Sequence, residues 1–279
     1  MRILPVFISL IILTAAVGCG KDDSNTPPLV DPPGTKYKLS YGDSILYIKE
    51  QATDLVIAPK TVAPAGTFVG FPEGIELDPV TGAINLSQSE TGLRYKITFT
   101  NKATGDTSIA IIVISGINYY DKIYSLEAND TVATPLYNAS IARTIPGSSV
   151  FDEGNGCNGV GVAVDVNSAN INLAQTVRNG VFGAIPKNGD RKEVELRYRV
   201  NDGSAKGLNK LKVKLYYYNT SADIEADLIQ LLKDREGTVF GANPLNGLGT
   251  EVISGTPTQT GTKAVAKPRP PCIFIVGRI

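Results

Sequence analysis

Apolar and polar side chains alternate in short stretches along the middle of the chain, with the period of two that is typical of β-strands. The clearest stretch is residues 93–99, in which Leu, Tyr, Ile and Phe alternate with Arg, Lys and Thr. Apolar runs at residues 109–114 and 211–217 have the length of further strands. Turn sequences such as DPVTG at residues 78–82 separate these runs. The pattern predicts a mainly β fold of many short strands.

Two parts of the chain are copies of one another. Residues 74–89 (GIELDPVTGAINLSQS) align without gaps with residues 161–176 (GVAVDVNSANINLAQT), at an offset of 161 − 74 = 87. The match resumes at residues 93–97 and 196–200 with an offset of 196 − 93 = 103, so the second copy carries an insertion of 103 − 87 = 16 residues. Self-similarity over this length predicts two copies of one structural unit.

We therefore predict two tandem antiparallel β-sandwiches, at residues 38–117 and 118–279, because short strands in units of this size form sandwiches. The two copies differ at one turn. Ala169 stands in the second copy where the first has Gly82. Because glycine adopts turn conformations that other residues avoid, its loss predicts a different turn in the second copy.

The sequence after the second copy predicts one helix and one last strand. N-cap residues at 219–221 precede an amphipathic segment, so a helix is expected at about 221–236. We interpret this helix as a cover across an open end of the second sandwich. The alternative is that the helix docks a partner. Residues 241–267 predict a long loop, and CIFIVG at 272–277 predicts a C-terminal strand. The apolar face of the helix consists of Ile224, Leu228, Leu231 and Leu232.

The segment from Gly74 to Ile84 resembles the G-L-x-L-D-x-x-T-G-x-I signature of bacterial immunoglobulin-like, cadherin-like domains. The resemblance implies an extracellular role in adhesion, spacing or ligand binding, without naming a ligand. Relatives often bind calcium through clustered carboxylates, but the acids available here are scattered, so we interpret them as solvated surface acids and predict no metal. These acids are Asp121, Asp130, Asp152 and Glu153.

The first residues have the pattern of an export signal. Residues 1–19 contain one Arg, a short apolar run, and small residues before Cys19, and this ending resembles the lipobox of bacterial lipoproteins. The resemblance implies a signal peptide at residues 1–18, acylation of Cys19, and a Pro-rich tether at residues 19–37 on the outer membrane. The charged residues after Cys19 resemble a surface-export signal, with a generic polar tether as the alternative.

The amino-acid composition excludes several classes of function. The 27 Lys and Arg balance the 27 Asp and Glu, so there is no electrostatic signature of nucleic-acid binding. The absence of histidine excludes His-based triads and His-ligated metals. We predict a non-catalytic binding or adhesion protein without a cofactor, whose partner is a glycan or a surface protein. The alternatives are a surface glycan hydrolase that uses two carboxylates, and a purely structural spacer.

A glycine-rich stretch at residues 152–161 (DEGNGCNGVG) has the spacing of phosphate-binding loops. Such a loop needs a helix directly after its glycines, whereas the repeat predicts strands at 160–166 and 171–173. We therefore predict a loop that leads into a β-strand.

Six side chains are the candidates for a covalent or binding role in the folded part of the chain. Cys157 and Cys272 form a candidate disulfide between the glycine-rich loop and the last strand, with two separate buried thiols as the alternative. Four tyrosines are candidates for stacking on a glycan, with packing in the core as the alternative. They are Tyr119, Tyr120, Tyr216 and Tyr218.

Overall fold

The computed structural model describes residues 36–235 and 269–278. Cys19, the predicted signal peptide, the tether up to residue 35 and the predicted loop at 241–267 lie outside the described residues. The predicted fold class is confirmed at the level of its secondary structure, because the chain is mainly β and its strands form several sheets that are consistent with a β-sandwich.

The first region, residues 36–116, contains two sheets. One sheet has the strand order β1-β7-β6-β3, in which β1 runs parallel to β7 and the other neighbours are antiparallel. The other has the order β2-β5-β4 and is antiparallel. The strands are β1 (Ile45–Leu46), β2 (Val56–Ile57), β3 (Gly66–Phe71), β4 (Glu76–Leu77), β5 (Ile84–Asn85), β6 (Arg94–Asn101) and β7 (Thr107–Ile114).

Both sheets of the first region contribute to one apolar cluster. The alternation predicted for β6 is confirmed, because Tyr95, Ile97 and Phe99 are buried while the residues between them are partly exposed. Ile84 and Leu77 come to the same cluster from the other sheet. The cluster thus explains why the period of two was visible in the sequence.

The second region comprises residues 117–235 and 269–278. Its main sheet has the order β12-β14-β15-β16-β9, and β8 with β11 and β10 with β13 form two short pairs. The elements are β8 (Ile117–Asn118), β9 (Lys122–Ser125), β10 (Val132–Ala133), β11 (Leu136–Tyr137), β12 (Val150–Phe151), β13 (Ile171–Asn172), α1 (Leu173–Arg178), β14 (Asp190–Arg199), β15 (Leu208–Tyr218), α2 (Ala226–Arg235) and β16 (Cys272–Val276).

The expectation of purely antiparallel sheets was wrong in both regions. In the second region β16 lies between β15 and β9 and runs parallel to both. Side chains of β16 therefore alternate between two apolar clusters on opposite faces of the sheet. Ile273 and Ile275 join the larger cluster, and Phe274 joins a smaller one.

Helix α2 covers the face of the sheet that carries the smaller cluster. Ile224 and Leu228 are buried there, with Leu231 and Leu232 packed against them. The predicted apolar stripe is confirmed, but it packs on a sheet face, and not across an open end. The helix also begins later than predicted, because a 3-10 turn at Ser221–Asp223 and an extended Ile224 precede it.

The turn in the second copy of the repeat is the same as in the first, so the prediction of a different turn was wrong. The Asp78 carboxylate accepts the amides of Val80 and Thr81, and the Asp165 carboxylate accepts those of Asn167 and Ser168. Ala169 adopts φ +60° where Gly82 has φ +73°. The carboxylate-anchored turn therefore holds even an alanine in the left-handed region.

The two regions meet at a hydrogen-bonded junction with two residues between β7 and β8. The Tyr198 hydroxyl lies 2.6 Å from the Thr91 hydroxyl and accepts the Ile117 amide at 3.1 Å. The Ser115 hydroxyl donates to the Asp202 carboxylate at 2.8 Å. The strand ends of both regions are thus fastened to each other by buried and half-buried polar groups.

Candidate functional site

A cavity of about 670 Å³ lies at the end of the second region that is opposite the junction. The strand β15 starts beside the junction and reaches the cavity with Tyr217, so the two are separated by most of an 11-residue strand, roughly 30 Å. The end of α1, the loop at residues 179–189 and Arg278, two residues after β16, complete the wall. We consider this cavity the candidate binding site.

Three cationic side chains from distant parts of the sequence line the cavity. Arg178 is the last residue of α1, Lys187 lies in the loop before β14, and Arg278 follows β16. The Lys187 amide donates to the Asp190 carboxylate at 2.7 Å, which fixes the backbone of the loop. Gly277 places Arg278 by a left-handed backbone with φ +108°.

The electrostatics of the cavity favour an anion. No carboxylate is among its described lining residues, and none of the three cations lies within 4 Å of a carboxylate of the described chain. The amide side chains of Asn188 and Asn219 add neutral hydrogen-bonding groups. Cationic and amide groups in one concave site match a ligand with a carboxylate and hydroxyls.

One wall of the cavity is apolar. Tyr217 packs against Phe182 with ring centroids 5.7 Å apart, and burial raises the pKa of Tyr217. Ile185 stands at the rim with 80 % of its surface exposed. The cavity therefore offers an apolar surface beside its charges, as ligand sites usually do.

The insertion found in the sequence builds much of this site. In the first copy residues 90–92 connect the aligned segments, whereas residues 177–195 do so in the second. Arg178, Lys187 and the whole loop at 179–189 fall within the longer connection. Sequence reasoning missed these residues, although the 16-residue insertion marked their place; Arg278 had no local signal.

Three of the four tyrosines proposed for glycan stacking are buried, which contradicts that role. Tyr119 and Tyr218 are fully buried, and Tyr216 is stacked on Phe274 at 4.6 Å. Tyr120 keeps 36 % of its surface exposed. In a strand covered on both faces, alternate tyrosines point into two different clusters, and the sequence pattern does not reveal the second cover.

The proposed disulfide between Cys157 and Cys272 is not formed, and both thiols are free and buried. Cys157 belongs to the larger apolar cluster, whereas Cys272 belongs to the smaller one on the opposite face of the sheet. Burial raises the pKa of Cys157 to about 12 and also raises the pKa of Cys272. The sheet between them separates the two thiols.

The glycine-rich loop wraps around the carboxylate of Asp152, a residue of the loop itself. The buried Asp152 carboxylate accepts the amide of Cys157 at 2.7 Å and that of Asn158 at 2.9 Å. The Asn158 side chain donates to the same carboxylate at 2.8 Å. These contacts occupy the inward amides, so the loop is organised around Asp152 and not around a phosphate.

The scattered acids considered for calcium are engaged in the chain's own contacts. Asp130 pairs with Lys122, and Glu153 pairs with Arg199. Asp121 pairs with both Arg235 and Arg269. Within residues 36–235 and 269–278, no group of three or more potential metal-ligating Cys, Asp or Glu side chains occurs.

A second cavity, of about 590 Å³, lies between the two regions. Its lining mixes both charge signs, including Glu90, Glu195 and Lys210. Burial raises the pKa of Glu90 to about 7, a value that suits a general acid. However, its two oxygens accept hydrogen bonds from the Asn118 side chain and the Arg269 amide, so Glu90 acts as part of the junction.

Comparisons with known proteins give no indication of function beyond the geometry of the two cavities. No protein-family model matches the chain, and no curated protein matches it at a significant level. Among the described residues, no helix has the length and apolar character needed to cross a membrane.

Proposed function

We propose that this chain is a non-catalytic, lipid-anchored surface protein that binds an anionic ligand, and that the ligand is a carboxylated glycan. The observation that carries the proposal is the cavity lined by Arg178, Lys187 and Arg278 without a described carboxylate. Guanidinium groups bind carboxylates through paired hydrogen bonds, which gives them orientation as well as charge. The neutral amides and the apolar rim suit the hydroxyls and the ring faces of a sugar.

In this proposal the two regions are tandem immunoglobulin-like β-sandwiches held at the outer membrane by acylated Cys19. The first region is nearer to the anchor in sequence, and the cavity lies at the far end of the second region. This order supports a role in which the ligand is captured away from the membrane surface.

Calorimetric titration with an oligosaccharide of galacturonic acid tests the binding site. We expect binding that weakens as salt increases, because the cations are exposed, and no binding of the carboxyl-reduced, neutral oligosaccharide. Arg278→Gln and Arg178→Gln should each raise Kd by about 10-fold to 100-fold, the loss expected for a hydrogen bond to a charged group. Lys102→Gln in an exposed turn of the first region is the matched control.

Binding that survives both arginine substitutions would contradict the proposed site. Absence of binding to acidic oligosaccharides altogether would favour the spacer role. Release of shorter sugars during the titration would favour the hydrolase.

The anchor has its own test, which does not depend on the ligand. Cells that express the full chain and are fed labelled palmitate should incorporate the label, and Cys19→Ser should abolish both the incorporation and membrane association. Label retained in the Cys19→Ser chain would contradict lipidation at this residue.

A further inference from the structure

The strand β16 occupies a slot between two strands of the second region. Its five residues are all buried, and it pairs with β15 on one side and with β9 on the other. Without β16, the two neighbouring strands would each present an unpaired edge toward the gap. Such an edge is a template for another strand.

The first region shows the same sheet without an inserted strand. There β1 pairs directly and in parallel with β7, the strand that the repeat makes equivalent to β15. In the second region β9, which also runs parallel, is one position further out. The second region is therefore opened by the width of one strand, and β16 fills the opening.

The residues that lead into the slot are held by side chains of both regions of the chain. The Asp121 carboxylate accepts the Cys272 amide at 2.7 Å and the Arg269 guanidinium at 2.9 Å. The Glu90 carboxylate accepts the Arg269 amide at 2.9 Å. The Arg269 side chain is 3 % exposed, so this cation depends on its buried acceptor.

The connection to β16 is much longer than the distance it has to span. The Arg235 guanidinium donates to the Pro270 carbonyl at 3.2 Å, yet residues 236–268, a total of 268 − 236 + 1 = 33, separate Arg235 from Arg269. Extended chain of that length spans at most roughly 110 Å. This exceeds the diameter of roughly 35 Å expected for a compact unit of about 100 residues.

We propose that the slot between β15 and β9 is a strand-acceptor site that takes residues 269–276 from a second copy of this chain. The strand pairing and the contacts to Glu90 and Asp121 join the segment to other parts of the chain that receives it, so the same contacts form when the segment comes from a neighbour. The strand also carries Arg278 to the cavity, and the neighbour would then contribute one cation to the site described above.

Disulfide trapping tests the exchange. Lys214 and Cys272 are register partners in adjacent parallel strands, a geometry that suits a disulfide. One tagged full-length chain carries Lys214→Cys with Cys272→Ser, and a second chain with a different tag keeps Lys214 and Cys272. After co-expression and oxidation, we expect a covalent dimer that contains both tags and is lost on reduction.

Two controls make the outcome decisive. A single chain that combines Lys214→Cys with native Cys272 must form the disulfide, which shows that the substituted chain folds with β16 in register. Lys210→Cys, four residues out of register, should lose the crossed dimer. If the single chain forms its internal disulfide while the co-expressed pair yields only monomers, the exchange is overturned; this result would leave ligand binding by the cavity untouched.

Discussion

The two regions of the molecule use the same end of their fold in opposite ways. In the first region the short connection at residues 90–92 faces the second region, where Glu90 and Thr91 form the junction. In the second region the loop part of the equivalent connection, residues 177–189, faces away from the first region and forms much of the wall of the larger cavity. The same end of the repeated unit therefore forms the junction in one region and, through the insertion, the wall of a cavity in the other.

A second difference lies in how each sheet is closed. The first region pairs β1 with β7 directly, whereas the second places β16 between the equivalent strands. The inserted strand is fastened by a buried group of charges, while the charged pair Lys36–Asp106 of the first region is exposed. Similar sequence copies thus depend on different interactions.

Removal of the Asp121 carboxylate should lower the stability of the protein more than any other change considered. It also distinguishes the buried group of charges in the second region from the exposed ion pair in the first. Asp121→Ala removes the buried carboxylate that Arg269, Arg235 and the Cys272 amide share, so we expect the free energy of unfolding to fall by about 3–5 kcal/mol. Urea denaturation measures this loss. Asp106→Ala in the exposed pair is the control and should leave the transition midpoint unchanged; equal effects of the two substitutions would contradict the distinction.

The next effect concerns Glu90, whose pKa burial raises to about 7 in the folded chain from an ordinary value of 4.5. Between these values the folded state binds more protons than the unfolded state, so stability should fall as pH rises from about 5 to about 7 and then level off. The expected change is about 2–3 kcal/mol. The charged side chains that face Glu90 are those of Arg269, Arg235 and Asp121.

Urea denaturation at several pH values measures this change, and Glu90→Gln should flatten the slope in that window. The depressed pKa values of Asp106, Asp165 and Glu225 act in the opposite sense and below their ordinary values, so they lie outside the window. A slope that is unchanged in the Glu90→Gln variant would contradict the assignment.

The smallest expected change in stability comes from substitutions in the two equivalent turns of the repeat. Ala169→Gly should raise stability by about 0.5–1 kcal/mol, because it relieves a left-handed alanine at φ +60°. The reverse change, Gly82→Ala, should lower stability by more than this, because the added Cβ would meet the Phe68 ring at 2.6 Å. Thermal unfolding of both variants measures the pair, and the same sign in both turns would contradict the explanation.

The sequence predicted the features that depend on neighbours along the chain. The alternation of β6, the apolar stripe of α2 and the position of the insertion followed from local pattern and from the repeat. Burial of Tyr216 and Tyr218 did not, because α2 covers a sheet face that the pattern alone leaves open. The position of β16 was also missed, since strand order depends on pairing across more than 50 residues of sequence.

The candidate site was also not predictable from local sequence pattern. Its cations at positions 178, 187 and 278 share one cavity because the end of β15 has the start of β14 on one side and the end of β16 on the other. Single charged residues in turns carry no sequence pattern that links them. The turn at Ala169 was mispredicted for a related reason, because the Asp165 carboxylate and not the residue type fixes the backbone.

The parallel course of β9, β16 and β15 has a mechanical consequence. In the surface role proposed above, a pull on a ligand held at Arg278, opposed by an anchor before the first region, would act along the strand direction and would load the bonds between β16 and its two neighbours together, in shear. Strands loaded in this way must break several hydrogen bonds at once, whereas strands peeled from one end break them singly. The inserted strand would thus act as a tensile element between the ligand and the cell.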